Sequence, residues 1–297
     1  MKQNKVLLIG WDAADWKIIW PLIAKGEMPA LKKLMDKGVY GNMSTMNPPL
    51  SPMLWSSVAT GKTPDKHGVH GFIEVMPYRK GIRPVTTNSR KAKAIWNILH
   101  NQGYKSNIVG WWPSFPAEPI NGVVVSDKFQ KVNKDPNKKN PIAKGTIHPE
   151  NLVNDLVDLR MFPFEVTGAH ILPCIPKASE INQNKDNGLS TFAKILAENT
   201  SVHAAATNLM RTKEWDFTAV YYDLIDHFCH AFMKFHPPKL NAIPKDLFDI
   251  YKDAVISAYK IQDMMLERKM ELTDEDTTII AWTNHFTEIR FKVLFEV

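Results

Sequence analysis

The chain has 297 residues, of which 44% are hydrophobic, so it is long enough to bury a large core in one or two domains. Its formal charge of +6 suits anionic small molecules as well as nucleic acid, and its two cysteines are too few for a disulfide framework. The amino-terminal apolar run is too short for a signal peptide, and no apolar stretch approaches a membrane span of about 20 residues. We therefore expect a cytoplasmic protein without a membrane span.

The first elements in chain order are a strand, two helices and a second strand. Residues Val6 to Gly10 form an apolar run that ends at Gly10-Trp11-Asp12, which is typical of a buried strand with acids at its carboxyl end. Helices are predicted over 15–25 and 28–36, and a second strand over 39–46. Because ligands of open α/β sheets bind at the carboxyl ends of the strands, Asp12 is a candidate site residue.

The segment 48–68 combines prolines, a hydroxyl group and a short predicted helix. Ser51 opens about nine residues of helical character, which Gly61 and Pro64 terminate. The first turn of a helix attracts anions, so Ser51 is a plausible nucleophile for a phosphate. A serine at this place is also a common helix cap, and the segment alone leaves both interpretations open.

The middle of the chain predicts a helix over 90–101 and buried strands over 105–110 and 123–126. Strand, helix and strand in this order favour a parallel sheet wrapped by helices. Over 128–188 the regular pattern is lost, and we expect an insertion that caps the sheet and faces the substrate. Its basic run at 128–144 has a single aromatic residue, Phe129, and no nucleic-acid motif, so we expect a solvated loop and no binding of nucleic acid.

The last third predicts a long helix over 189–211, a buried strand over 217–222, a helix over 245–269 and a final strand over 277–282. Asp226 and His230 follow the first of these strands. Residues four apart share one face of a helix, so the two are a workable metal pair, although a helix cap and a packed histidine would look the same.

Asn284 and His285 follow the final predicted strand, so ligand-type side chains come after three separate strands. A set of carboxylate, imidazole and hydroxyl groups at one edge of a sheet suits two divalent ions. Such ions would activate the Ser51 hydroxyl and neutralise a phosphoryl group in transfer.

Three motifs together resemble the type I phosphodiesterase / nucleotide pyrophosphatase family of the alkaline phosphatase superfamily. They are Gly10-Trp11-Asp12, the stretch Leu50 to Gly61 followed by Pro64 and His67-Gly68, and Asp226-x-x-x-His230. The resemblance implies an alkaline phosphatase-like α/β catalytic domain over 1–297 with a mostly parallel sheet, flanking helices and the cap at 128–188.

The resemblance also implies the metal ligands. Asp12 and Ser51 would hold one ion together with the pair Asn284 and His285, and Asp226 and His230 would hold the second. Zinc is the metal that the family implies, with manganese as the alternative.

The implied activity is metal-dependent hydrolysis of a small phosphodiester or phosphomonoester through a covalent phospho-enzyme at Ser51. The sequence departs from the family pattern at Asn284, where a carboxylate is expected, and at Val69-His70-Gly71-Phe72, which has no amide where the family's asparagine is expected. No histidine follows His285, as in a chain truncated at its carboxyl end. Two alternatives stay open: a degenerate member that binds a ligand with weak or no catalysis, and a phosphomutase or transferase of the same superfamily. The sequence does not indicate an oligomeric state.

Overall fold

The structure is a computed structural model that describes residues 4–76, 81–131 and 138–283. Its strands are β1 (Lys5–Trp11), β2 (Ile73–Val75), β3 (Ile82–Pro84), β4 (Ser106–Val109), β5 (Gly122–Val125), β6 (Ile147–His148), β7 (Phe217–Tyr222) and β8 (Thr277–Thr283). Its α-helices are α1 (Trp16–Ala24), α2 (Pro29–Lys37), α3 (Ser51–Thr60), α4 (Pro64–His67), α5 (Ile95–Asn101), α6 (Val153–Leu156), α7 (Gly168–Ile171), α8 (Gly188–Thr212), α9 (Leu224–Phe232), α10 (Lys245–Tyr251) and α11 (Ala254–Met270).

The central sheet has the strand order β6-β5-β4-β7-β1-β8, and every pair in it is parallel except β5 with β6. Trp11 at the end of β1 lies opposite Tyr222 of β7 and Thr283 of β8. The carboxyl ends of these three strands therefore meet at one edge of the sheet. The predicted α/β fold with a mostly parallel sheet and flanking helices is confirmed.

Both faces of the sheet are covered, which explains the nearly continuous apolar runs in its strands. Successive side chains of a strand point to opposite faces. Leu7 and Ile9 accordingly join a large core cluster with residues of α8, α9 and α11, whereas Leu8 joins a smaller cluster that contains Trp55 of α3. The smaller cluster fixes α3 on the sheet.

Gly10 lets α3 approach β1 closely. A Cβ atom at this position would lie 2.6 Å from Cζ3 of Trp55, which is buried completely. The helix begins at Ser51 and ends where Gly61 takes the left-handed conformation with φ of 62°, a geometry that glycine adopts without strain. The helix predicted after Ser51, with its end at Gly61, is confirmed.

The strand predicted over 39–46 is wrong. A half-buried strand needs one buried face, and none of these eight residues is buried; they form no ladder in the sheet. Two predicted helices also differ from expectation. The helix predicted over 90–101 begins only at Ile95, and the one predicted over 245–269 is divided into α10 and α11. The last residue of α10, the buried Tyr251, donates its hydroxyl hydrogen to Oδ1 of Asp186 at 2.8 Å.

The segment 128–188 adds the edge strand β6 and the short helices α6 and α7. Phe129, Ile147 and Leu156 from this segment are buried in the larger core cluster, so it packs on the same core as the sheet. Its role as a cap over the substrate stays a prediction. None of the helices in the described part of the chain is both long enough and apolar enough to cross a membrane.

Candidate active site

Four of the predicted site residues line one cavity of about 600 Å³ at the carboxyl edge of the sheet: Asp12, Ser51, Asp226 and His230. Asp12 directly follows β1, and Ser51 is the first residue of α3. The other two lie on α9, which begins two residues after β7. Parallel strands thus bring together side chains that are as much as 218 residues apart, from Asp12 to His230.

Ser51 and Asp12 are in contact. The Ser51 Oγ donates to Oδ1 of Asp12 at 3.4 Å, and both residues are almost fully buried. Leu50 occupies the N-cap position of α3, and no side chain forms a capping hydrogen bond there. The hydroxyl therefore does not serve as a helix cap; it faces the cavity at the positive end of a ten-residue helix.

The sequence analysis missed Tyr221, which forms a hydrogen bond with the other carboxylate oxygen of Asp12. Its hydroxyl donates to Oδ2 of Asp12 at 2.5 Å, and its ring lies 4.9 Å from that of Trp55 on α3. Burial and the negative charge of Asp12 raise the pKa of the Tyr221 hydroxyl well above its usual value. The sequence did contain a signal for this role: Tyr221 is a polar ring inside the apolar run of β7 and lies just before Asp223 and Asp226.

Asp226 and His230 share one face of α9, as their spacing predicts. Nε2 of His230 lies 3.5 Å from Oδ1 of Asp226. Burial and the nearby charge of Asp12 raise the pKa of the Asp226 carboxyl to about 6, against the opposing effect of His230. The His230 side chain is 78% exposed, so it lies at the open side of the cavity.

A second ionic cluster lines the cavity beside these residues. Nζ of Lys131 lies 2.9 Å from Oε2 of Glu198 and 3.6 Å from Oδ2 of Asp223. Asp223 also accepts a hydrogen bond from Asn199 at 2.9 Å and has His227 Nδ1 at 3.6 Å. Burial acts to raise the pKa of the Asp223 carboxyl, but Lys131 and His227 outweigh it and the pKa is lowered.

Lys131 departs from the expectation of a solvated basic loop. Its ammonium group is held by two carboxylates, which raise its pKa although burial acts to lower it. Sequence alone cannot pair a lysine at 131 with an acid 67 positions away in α8.

The remaining sequence candidates fall into two groups. Asn284 and His285 lie outside the described residues; β8 ends directly before them at Thr283. His67 is buried, and its Nδ1 accepts the N–H of Val69 at 3.1 Å while its Nε2 lies 2.8 Å from Oγ of Ser57. Nε2 therefore carries the proton and donates to Ser57, so this serine and histidine form a structural contact and not a nucleophile with its base.

The donor groups fit a divalent cation in their chemistry. Carboxylates, imidazoles and the Ser51 hydroxyl line one cavity, and burial together with the nearby charge of Asp12 raises the pKa of Asp226, an effect that a bound cation would oppose. Among residues 4–76, 81–131 and 138–283, no three His, Cys, Asp or Glu side chains converge closely enough to enclose an ion. Asn284 and His285, which the sequence suggests as further ligands, lie outside that part of the chain.

Comparison with known proteins agrees with the sequence motifs. A model of the family described as type I phosphodiesterase / nucleotide pyrophosphatase matches residues 6–288. No curated protein shows significant similarity to this sequence.

Solved structures share the fold. Phosphonoacetate hydrolase from Sinorhizobium meliloti, in complex with phosphonoacetate, is 16% identical with a TM-score of 0.55. Murine ectonucleotide pyrophosphatase / phosphodiesterase 5, an inactive variant in complex with AMP, is 9% identical with a TM-score of 0.51. Each match covers 95% of this chain and 57% of the other protein, so the chain spans little more than half the length of these structures.

Proposed function

The chain belongs to the type I phosphodiesterase / nucleotide pyrophosphatase family, and on that premise we propose that it hydrolyses a small phosphoric ester with Ser51 as the nucleophile. The observation that carries the proposal is the Ser51 hydroxyl at the start of α3. It lies against Asp12 in the same cavity as Asp226 and His230. The ligands named for the two structural relatives, phosphonoacetate and AMP, are small phosphorylated or phosphonate compounds, and they support a substrate of this general class.

The reaction proceeds in two displacements at phosphorus. Oγ of Ser51 forms a bond to phosphorus while the bond to the leaving oxygen breaks, and the leaving group departs as an alcohol with the proton that the Ser51 hydroxyl gives up. A water molecule then attacks the phosphoserine, the bond between phosphorus and Oγ breaks, and the Ser51 hydroxyl is restored with a proton from that water.

The residues of the chain set the geometry of the first displacement. Asp12 Oδ1 accepts the Ser51 hydrogen bond and holds Oγ toward the cavity, while Tyr221 restrains Oδ2. The positive end of the α3 dipole lies at Ser51 and favours the negative charge of a phosphoryl group.

We assign the metal ligands as the sequence suggests. Asp12, Ser51, Asn284 and His285 would hold one divalent ion, and Asp226 and His230 would hold a second, with zinc preferred and manganese as the alternative. When bound, such ions lower the pKa of the nucleophilic hydroxyl and neutralise the charge that builds up on the phosphoryl oxygens.

Segment 128–188 supplies the side of the cavity that faces the substrate in this proposal. Lys128, Gln130 and Lys131 line the cavity; the charge of Lys128 favours a phosphorylated ligand, whereas that of Lys131 is compensated by Glu198 and Asp223. The segment would then act as the cap that selects the substrate.

The test is release of p-nitrophenol from mono- and bis-p-nitrophenyl phosphate, with and without added zinc or manganese, together with the metal content of the protein. We expect turnover of at least one ester, dependent on the metal. Metal-loaded, folded protein that hydrolyses neither ester would contradict a hydrolase, and would favour the degenerate ligand-binding member that the sequence leaves open.

A further inference from the structure

The cavity beside Ser51 carries charges that the proposed reaction does not use. Among the described residues, three carboxylates line it, those of Asp12, Asp223 and Asp226, against the two ammonium groups of Lys128 and Lys131. The phosphoryl group of a substrate is itself negative. The balance of these charges therefore affects how readily the substrate enters the cavity.

Lys131 compensates two carboxylates that are themselves largely buried. Its Nζ lies 2.9 Å from Oε2 of Glu198 on α8 and 3.6 Å from Oδ2 of Asp223, and these two side chains are only 3% and 14% exposed. Within the part of the chain that the structure describes, no other lysine or arginine is at ion-pair distance from either of them. His227 also has Nδ1 at 3.6 Å from Asp223, but it is charged only when protonated. Lys131 is thus the cation that the two acids share.

The two carboxylates are held in place independently of Lys131. Nδ2 of Asn199 donates to Oδ1 of Asp223 at 2.9 Å and to the carbonyl oxygen of Ile195 at 3.1 Å, which ties Asp223 to α8. Glu198 precedes Asn199 on the same helix and has almost no exposed surface. Without Lys131, both negative charges would stay beside the cavity with no ammonium group to compensate them, and buried charges of this kind act strongly on nearby ions.

Lys131 keeps its own charge at neutral and mildly alkaline pH. Burial acts to lower the pKa of its ammonium group, but the charges of Asp223 and Glu198 outweigh burial and raise the pKa. The ammonium group and the two carboxylates therefore form a charged cluster, and its net charge becomes more negative by one unit when the lysine is replaced by a neutral residue.

The effect of that unit depends on the charge of the substrate. A phosphomonoester carries about two negative charges near pH 8, because its second pKa is about 6, whereas a phosphodiester carries one. Coulomb repulsion is proportional to the product of the charges, so an uncompensated carboxylate disfavours the monoester more than the diester.

We propose that Lys131 is a positioning residue that acts through Asp223 and Glu198: by compensating their charges, it allows the cavity to accept the dianion of a phosphomonoester as well as the monoanion of a phosphodiester. The inference rests on the proposed hydrolase function and names a residue that sets the charge of substrate that the same site accepts.

The experiment keeps the leaving group constant and varies the charge of the ester. We compare p-nitrophenyl phosphate with methyl p-nitrophenyl phosphate by kcat/KM, using the full chain at pH 8, at fixed ionic strength and with the metal content of each variant measured. The variants are Lys131→Met, Lys131→Arg and, as the matched control, Lys139→Met. Lys139 belongs to the same segment and pairs with Oε1 of Glu165 at 3.1 Å, but it does not line the cavity.

We expect the monoester-to-diester ratio of kcat/KM to fall by about tenfold in Lys131→Met, the effect of one added unit of negative charge near a phosphoryl group in partly solvated surroundings. The loss should appear mainly as a higher KM for the monoester. Lys131→Arg should retain most of the ratio, and Lys139→Met all of it. A purely structural role would lower kcat/KM for both esters alike and leave the ratio unchanged.

Changes at Glu198 test whether Lys131 acts through its partners. Glu198→Gln alone leaves Lys131 with one fewer carboxylate, so the ratio should rise, and this holds even if Lys131→Met does not fold. Glu198→Gln combined with Lys131→Met should restore most of the ratio. A double variant that keeps the low ratio of Lys131→Met would overturn the proposal, since it would show that the ammonium group contacts the substrate directly.

Two further outcomes separate this inference from the hydrolase function. If the wild-type protein hydrolyses the esters but the ratio is the same in Lys131→Met as in Lys139→Met, the role of Lys131 is refuted and the hydrolase stands. If folded, metal-loaded wild-type protein hydrolyses neither ester, the proposed function fails, and the role of Lys131 fails with it.

Discussion

The two helices that reach the cavity hold their site residues in different ways. On the α3 side, Ser51 and Asp12 are buried and fixed by the packing of Trp55 over Gly10 and by the hydroxyl of Tyr221. On the α9 side, the His230 side chain is 78% exposed and lies 3.5 Å from Asp226, whose pKa is raised to about 6 by burial and the charge of Asp12. Packing thus fixes the α3 side, whereas the α9 side is open to solvent and its carboxylate is less stable in the charged form.

The largest expected effect is on the α3 side. Ser51→Ala removes the nucleophile, and we expect kcat/KM for a p-nitrophenyl ester to fall by about a thousandfold or more, equivalent to about 4 kcal/mol. Ser56→Ala is the matched control, because Ser56 lies on the same helix and its buried Oγ has no hydrogen-bond partner within the described residues. Equal activity of the two variants would remove Ser51 from the mechanism.

The next effect concerns the charge on the α9 side of the metal-free protein. The pKa of Asp226 is higher in the folded chain than in the unfolded one, so the folded state holds its proton longer. The free energy of unfolding should therefore fall as pH rises from about 4 to about 6, and this loss of stability is complete at pH 7. Asp226→Asn should raise the free energy of unfolding at pH 7 by about 3 kcal/mol.

Asp223→Asn is the contrasting variant for that measurement. The pKa of Asp223 is lowered, so its contribution is favourable above its unfolded pKa and is lost as pH falls; the substitution should destabilise the protein at pH 7. Urea titrations of both variants across this pH range give the two slopes. If both substitutions changed the free energy of unfolding at pH 7 in the same direction, the opposite effects inferred for the two carboxylates would be wrong.

A smaller effect is expected from the packing under α3. Gly10→Ala places a methyl group against the ring of Trp55, and overpacking of this kind costs about 2 kcal/mol. We expect a lower urea midpoint at an unchanged m-value, and reduced activity because Ser51 moves relative to Asp12. Gly41→Ala, which meets open space, is the control and should leave both quantities unchanged.

The smallest effect tests the restraint on Asp12. Tyr221→Phe removes the hydroxyl that donates to Oδ2, and we expect kcat to fall by about tenfold, the equivalent of one hydrogen bond to a charged group. Tyr222→Phe is the matched control, because its hydroxyl pairs with His203 on the opposite face of the sheet. If both variants lose kcat equally, the effect belongs to β7 as a whole and not to the Asp12 contact.

Much of the fold and part of the site followed from sequence patterns. The strands at the centre of the sheet are short apolar runs ended by polar residues, and local pattern suffices for these. Ser51, Asp12 and the Asp226 pair were identified because each occupies a fixed place relative to a strand or helix end. The strand predicted at 39–46 was wrong because the loose alternation of apolar and polar residues there does not correspond to a buried face.

The contacts of the cavity could not be predicted in this way. The partner of Lys131 lies in α8, that of Tyr221 lies after β1, and the neighbour of Phe72 follows β4. These pairs depend on where distant elements pack, and no local periodicity encodes them. They are nevertheless the contacts that hold Asp12 beside Ser51 and line the cavity.

The central claim is that Ser51 becomes covalently phosphorylated, and rapid quenching of the metal-loaded protein with bis-p-nitrophenyl phosphate tests it most directly. Peptide mass spectrometry of the quenched protein should find one substituted phosphoryl group on Ser51, together with a burst of p-nitrophenol equal to the enzyme concentration when the second displacement is slower. A phosphoryl group on another residue, or an equal burst from Ser51→Ala, would contradict the account.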